Sequence, residues 1–214
     1  MNIVHEVVVT GPLQVNTHIL GQADGDEVIL MDPGGEVDQL LQRLKKLGKR
    51  LTHIVNTHGH ADHIGAVARL QQLTGCQFWL HDGDREQVAK AARDAMSWGM
   101  SSFGPLPRID RTLEHGEQLQ LAGMVIEVIH TPGHTQGGVC LRWQDEIATG
   151  DTLFANSIGR TDLLGGNHSQ LLQSIRDRLL SLPDRVICHP GHGPSTTIGR
   201  ERRFNPFLSD GEEE

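Results

Sequence analysis

The sequence predicts a mixed α/β (α+β) domain over residues 1–208, built in two similar halves, with an acidic disordered tail at 209–214. Three observations lead there. Short apolar runs of strand length recur along the chain, many of them stopping in loops rich in Gly and Pro. Amphipathic runs with helical spacing stand between several of these strands. No fixed-period repeat, low-complexity linker or other sign of a domain boundary interrupts the pattern. A chain of 214 residues, 37% hydrophobic and 21% charged, is long enough and apolar enough for one sizeable globular core.

In order, strands are expected at Ile3 to Thr10, Thr17 to Leu20 and Glu27 to Met31, separated by Gly11-Pro12 and Asp24-Gly25 turns. Asp32-Pro-Gly-Gly35 opens a helix with Val37, Leu40, Leu41, Leu44 and Leu47 on one face and Gly48 as its stop. Leu51 to Asn56 reads as a buried strand, and Asp62 to Thr74 as a helix with Ile64, Val67, Ala68 and Leu70 inward, stopped by Gly75. Phe78 to His81 is a short strand and Asp84 to Met96 a helix. The irregular stretch Met96 to Pro107 reads either as a surface connection or as a lid with Trp98, Met100 and Phe103 on its inner wall. Gln118 to Ala122 pairs with Val125 to His130, and Val139 to Trp143 with Glu146 to Thr149. Asn167 to Gln170 resembles a capping box for a helix carrying Leu171, Leu172, Ile175 and Leu179 inward. Arg185 to Cys188 is the last expected strand and Thr197 to Phe204 the last helix.

The chemistry concentrates in Thr57-His-Gly-His-Ala-Asp-His63, where a strand ends and a helix begins. If His58-Gly59-His60 is extended, the two imidazoles share a face, because alternate residues of an extended chain point the same way. Asp62 and His63 fall in the first helical turn. Imidazole and carboxylate suit a borderline divalent ion such as zinc, and also iron or manganese. One corner supplies only part of a coordination shell. Further donors of the right kind stand at other strand ends: His134 after VIEVIH, Asp151 after EIATG, and His192 after RVICH.

Other readings are thinly supported. There is no Gly-x-Ser-x-Gly elbow and no His-Glu-x-x-His. Cys76, Cys140 and Cys188 form no Cys-x-x-Cys pair and sit in apolar strands, as buried free thiols of a reducing cytoplasm. A net charge of −8 argues against a nucleic-acid footprint. No run reaches the ~20 apolar residues of a membrane span, and MNIVHEVVVTG lacks the layout of a signal peptide. His5, His18, His53, His81, His115 and His168 show no partner pattern and are expected at the surface or in local hydrogen bonds; His130 and His189 read as structural.

With these pieces in view, the chain resembles the metallo-β-lactamase-fold hydrolases over nearly its whole length. It is most similar to the short bacterial glyoxalase II-type thioesterases. The resemblance rests on Asp32-Pro-Gly-Gly35, THGHADH, HTPGHTQGG, TGDTLF, Ile158-Gly-Arg-Thr-Asp162, and Pro190-Gly-His-Gly-Pro194 with Thr197-Ile-Gly-Arg-Glu201 and Asn205-Pro-Phe207. It implies a four-layer αββα sandwich and two divalent ions, zinc first with iron or manganese as alternatives. His58, His60 and His134 would hold one ion, Asp62, His63 and His192 the other, and Asp151 would bridge them. It further implies a water acidified between the two ions as nucleophile, with Asp62 orienting it. The implied substrate is a small acyl-glutathione thioester such as S-lactoylglutathione, with glutathione as a product. Arg160 is a candidate clamp for a substrate carboxylate; its other reading is a loop Arg bonded to Asp162. A second implied reaction is that of the mononuclear iron persulfide dioxygenases. Larger glyoxalase II enzymes grip glutathione with Tyr and an added C-terminal helical domain, and this sequence contains no Tyr.

Overall fold

The computed structural model describes residues 2–100 and 103–208; the tail expected at 209–214 and Ser101-Ser102 of the expected loop lie outside them. The elements run β1 (Ile3–Thr10), β2 (Val15–Gln22), β3 (Glu27–Met31), α1 (Val37–Leu47), β4 (Arg50–Val55), α2 (Ala61–Ile64), α3 (Val67–Thr74) and β5 (Gln77–His81). There follow a 3₁₀ turn (Asp82–Asp84), α4 (Arg85–Ser97), β6 (Arg111–Leu113), β7 (Gln118–Leu121), β8 (Met124–His130), β9 (Val139–Trp143) and β10 (Glu146–Gly150). A small ribbon of β11 (Leu153–Phe154) and β12 (Ser157–Ile158) precedes α5 (His168–Ser174), which runs on into a π-turn (Ile175–Leu179). The last elements are β13 (Ile187–Pro190), β14 (Thr196–Thr197) and α6 (Ile198–Phe204).

Two six-stranded sheets result, ordered β1-β2-β3-β4-β5-β6 and β14-β13-β10-β9-β8-β7. In the first, β3 through β6 run parallel; in the second, only β10 and β13 do. Successive side chains on a strand face opposite sides, and in central strands such as β2 and β3 both sides are buried. Thus Leu20, Ile29, Met31 and Val55 of the first sheet meet Leu119, Ile126, Val128, Leu141 and Trp143 of the second. Their neighbours Ile19, Val28, Leu30, Ile54 and Phe78 turn outward beneath Leu40 and Leu44 of α1, Ile64, Val67 and Leu70 of α2 and α3, and Ala91 and Ala95 of α4. On the other flank Ile129, Cys140, Ile147 and Cys188 pack under Leu171, Ile175, Leu179 and Ile198. The layers are helix, sheet, sheet, helix: the αββα sandwich.

The expected helix stops are in place, with Gly48 and Gly75 left-handed at the ends of α1 and α3. Thr197 Oγ1 caps α6 by accepting from Arg200 N–H, and Asn167 caps α5 by accepting from Gln170 N–H. The Gln170 side chain, however, meets Gln136 and does not return to Asn167, so the capping box is half made.

Three expectations change. The helix expected over Asp62 to Thr74 breaks into α2 and α3, because Ala66 N–H donates to Pro33 O (3.0 Å) in place of a helical carbonyl. A Cβ at Gly65 would also run into the Gly34 carbonyl, so only a glycine lets the Asp32-Gly35 loop press against the chain there. Strands beyond those expected also form: β6 at the edge of the first sheet, the β11–β12 ribbon, and β14 after the strand expected to be last. In the Met96 to Pro107 stretch, Met100 is buried in the core and Phe103 and Trp98 both pack against it; of the three, Trp98 alone also lines the cleft.

Candidate metal centre

The site lies where the strand ends of the two sheets converge. β3 and β4 are parallel, so the loop after Met31 and the loop after Val55 leave side by side. β10 and β13 are parallel as well, which sets Asp151 beside the Gly191-His192 loop; Gly191 N–H donates to Gly150 O at 2.8 Å. Val139 N–H donates to Thr57 O (2.8 Å) and Asn16 N–H to Gly191 O (2.8 Å), joining loops of opposite sheets. The seven expected donors, His58, His60, Asp62, His63, His134, Asp151 and His192, are thereby brought together.

They form two sets. His60 Nδ1 lies 3.1 Å from His58 Nε2 and 3.0 Å from His134 Nε2. His63 Nε2 and His192 Nε2 are 3.3 Å apart, with Asp62 Oδ2 at 3.7 Å and 3.3 Å from them. Asp151 stands between: Oδ1 is 3.4 Å from His63 Nε2, and Oδ2 is 3.6 Å from His134 Nε2 and 3.7 Å from His192 Nε2. Ligand bonds of 2.0–2.1 Å in a tetrahedral shell put donors about 3.3 Å apart, and these spacings bracket that value.

Hydrogen bonds on the far side of each ring say which nitrogen is free. His134 Nδ1–H donates to Arg160 O (2.7 Å) and His192 Nδ1–H to Leu13 O (2.9 Å); a carbonyl only accepts, so both Nε2 atoms carry lone pairs into the site. His63 Nδ1–H donates to Asp32 Oδ2 (3.0 Å). The Nε2 atoms of His63 and His192 therefore face each other, where a shared cation would replace the proton that the surrounding carboxylates otherwise hold on His63. Asp151 Oδ1 is buried and accepts no hydrogen bond among the described residues. A buried carboxylate oxygen without a close hydrogen bond, set among converging imidazole nitrogens, fits a metal centre.

The electrostatics agree. Burial first, then neighbouring imidazoles, pushes the His58 pKa well below its ordinary value and that of His60 to about 3, so both are neutral donors. Burial also opposes charge on His63, yet Asp62, Asp151 and Asp32 outweigh it and raise its pKa well above normal. Burial opposes ionisation of Asp151 and Asp62, but His63 leads the groups that hold both carboxylates below their usual range.

Supporting residues complete the site. Asp32 accepts Thr57 N–H (2.8 Å) and Thr57 Oγ1–H (2.6 Å) as well as His63. Asn56 ties the same loops, accepting from Asp32 N–H (3.1 Å) and donating to His63 O (2.8 Å). Asp84 was not singled out by the sequence. Fully buried, it accepts Gly59 N–H (2.9 Å), Thr135 Oγ1–H (2.8 Å) and Gly137 N–H (2.6 Å), binding the His58–His60 loop to the His134 loop. Its sequence signal was the Gly137-Gly138 pair, since a Cβ at Gly137 would collide with the Asp84 carboxyl.

Above the donors is an open cleft of about 430 Å³, walled by Leu13, Trp98, Arg160 and Leu163. Trp98 sets its edge against His60 at 5.5 Å and 87°. Arg160 is on the rim, but its guanidinium forms a two-pronged bond with Asp162 (2.8 and 2.6 Å). Of the remaining imidazoles, His53 packs on Trp79 and His81 stacks on His130 at 4.1 Å. His5 and His18 depart from expectation: neither is merely at the surface or locally bonded, because the stacking of the two sheets sets β1 and β2 against β13 and makes them neighbours of His189.

Comparison with known proteins agrees with this geometry. The model of the metallo-beta-lactamase superfamily matches residues 10–192. The chain is similar to hydroxyacylglutathione hydrolase GloC of Haemophilus influenzae, at 39% identity over 98% of this chain and 99% of that one. Among solved structures it is similar to the BLEG-1 B3 metallo-beta-lactamase (36% identity, TM-score 0.89, covering 96% of this chain and all of that one). It is also similar to TTHA1623 in a di-iron-bound form (39% identity, TM-score 0.87, covering 95% of this chain and all of that one). By sequence, by layer order and by the placement of its strand-end His and Asp residues, the chain belongs to the metallo-β-lactamase superfamily.

Proposed function

We propose that the protein is a binuclear metal-dependent hydrolase of acyl-glutathione thioesters, with S-lactoylglutathione, cleaved to lactate and glutathione, as its leading substrate. The observation that carries this reading is the pair of donor sets, His58/His60/His134 and Asp62/His63/His192, with Asp151 facing both across a cleft open to a small molecule. The similarity to GloC supports the substrate class.

Two divalent ions held there supply a water acidified toward neutral pH and a positive field for the developing oxyanion. The protein's own residues do the rest. Asp62, held as a carboxylate, would accept the nucleophile's hydrogen bond and aim its lone pair at the thioester carbon. Asp32, Leu13 O and Arg160 O fix the ring orientations of His63, His192 and His134. The leaving thiolate, of reference pKa about 8.5, departs with no general acid.

Elemental analysis of protein from metal-supplemented medium is expected to give two ions per chain, accompanied by turnover of S-lactoylglutathione. Oxygen uptake on glutathione persulfide and hydrolysis of a β-lactam are the control reactions. One iron per chain with oxygen uptake and no thioester turnover would make it a persulfide dioxygenase instead.

Arg160 tests recognition separately. It is 60% exposed and already engaged by Asp162, so a substrate carboxylate has to compete for the fork. Arg160→Ala is expected to raise KM for S-lactoylglutathione by about three- to tenfold, the effect of an exposed charge contact. A small neutral thioester should be spared. An equal loss on both substrates would assign Arg160 to loop shape alone.

A further inference from the structure

Outside the seven donors, the described residues contain one more convergent set: His5 on β1, Glu146 on β10 and His189 on β13. Glu146 Oε2 is 3.1 Å from His5 Nδ1 and 2.8 Å from His189 Nε2. The three come from both sheets, His5 from the first and the other two from the second. Each ring is anchored on its far side. His5 Nε2 lies 3.0 Å from Nδ1 of the buried His18, and His189 Nδ1 lies 2.9 Å from Ser195 Oγ. Trp143 is stacked over His189 at 5.9 Å and 9° and meets His5 edge-on at 5.1 Å, which holds both ring planes.

A ligating His needs an acceptor for its other ring N–H. Here both have one: His18 Nδ1 for His5, and Ser195 Oγ for His189. With the ring protons shifted outward to these acceptors, His5 Nδ1 and His189 Nε2 turn lone pairs to the carboxylate of Glu146, and neither imidazole has to change its charge. Burial foremost lowers the His5 pKa, which favours its uncharged ring. The side chains of His5, Glu146 and His189 are 13%, 23% and 11% exposed, so an ion can enter from solvent and keep water as a fourth ligand. Two imidazoles and one carboxylate with an open position form a donor set that zinc accepts.

We propose that His5, Glu146 and His189 form a further binding site for a divalent zinc-type ion, which clamps β1 of one sheet to β10 and β13 of the other. With three donors and an open side it is weaker than the cleft centre and fills after it.

The test is zinc titration of the metal-loaded protein by equilibrium dialysis with elemental analysis, on wild type, Glu146→Gln and His5→Gln. The wild type is expected to bind one more zinc per chain than either variant, whatever the number in the cleft. Filling that last site should raise the melting temperature of the wild type alone, because a ligand bound only to the native state stabilises it. Turnover should be retained in both variants. Equal zinc uptake by wild type and a folded variant would overturn the proposal. So would a loaded wild type that takes up no further zinc, a result independent of how the variants fold; the network would then be a hydrogen-bonded tie between the sheets and nothing more.

Discussion

Asp62→Asn is expected to lower kcat/KM for a thioester by a hundredfold or more while leaving the first donor set, His58, His60 and His134, loaded. Asn has the shape of Asp but neither its charge nor its basicity. Asp62 is buried, its Oδ2 lies 3.3 Å from His192 Nε2, and its pKa is held low mainly by His63 against the opposing effect of burial. Removing that charge takes away both a candidate ligand and the group proposed to orient the attacking water, and a combined loss of about a hundredfold or more is expected. His134→Ala should cost at least as much, by emptying one corner of the first set. The measurement is steady-state kinetics paired with metal content. Near-normal turnover of Asp62→Asn with its metal in place would remove Asp62 from the mechanism.

The second large effect belongs to a residue that touches no donor nitrogen. Asp84→Ala strips the acceptor from Gly59 N–H, Thr135 Oγ1–H and Gly137 N–H, all of them buried. Each buried group left unpaired costs about 1–3 kcal/mol, so a loss of roughly 3–5 kcal/mol of stability is expected after partial relaxation. Because Gly59 sits between His58 and His60, and Thr135 follows His134, the first donor set should loosen as well. A further fall in turnover of about 10–100-fold is the usual size for losing such a support. Thermal melting and metal content check this together. A variant that melts as the wild type does would show that water replaces the carboxylate; one that is destabilised yet keeps its metal affinity would show that the two loops hold their shape without it.

Much of the architecture follows from local sequence. The apolar run Val28-Ile-Leu-Met31 is buried on both faces, and that double burial is why it reads as a continuous apolar strand. Gly48, Gly75, Asn167 and Thr197 mark helix ends through their own conformational and hydrogen-bonding preferences, which need no distant partner. The cluster His58 to His63 was equally legible, because donors one to five residues apart on a strand-to-helix corner must be near one another.

Long-range packing decided the rest. The break at Gly65-Ala66 comes from Pro33 O, a carbonyl some thirty positions earlier that competes for the Ala66 amide. Met100 and Phe103 joined the core, while Trp98 turned to the cleft; an apolar side chain in an irregular segment carries no period to say which neighbour it will meet. Asp84 looked like an ordinary acidic residue at the start of a helix until the Gly59 and Gly137 amides closed around it. His5, His18 and His189 looked unrelated for the same reason. By itself the sequence determined which residues can hold a metal and where strands and helices begin. Which side chains share a site was decided only by the parallel pairing of β3 with β4 and β10 with β13 and by the stacking of the two sheets, since proximity across a sheet depends on register and not on distance along the chain.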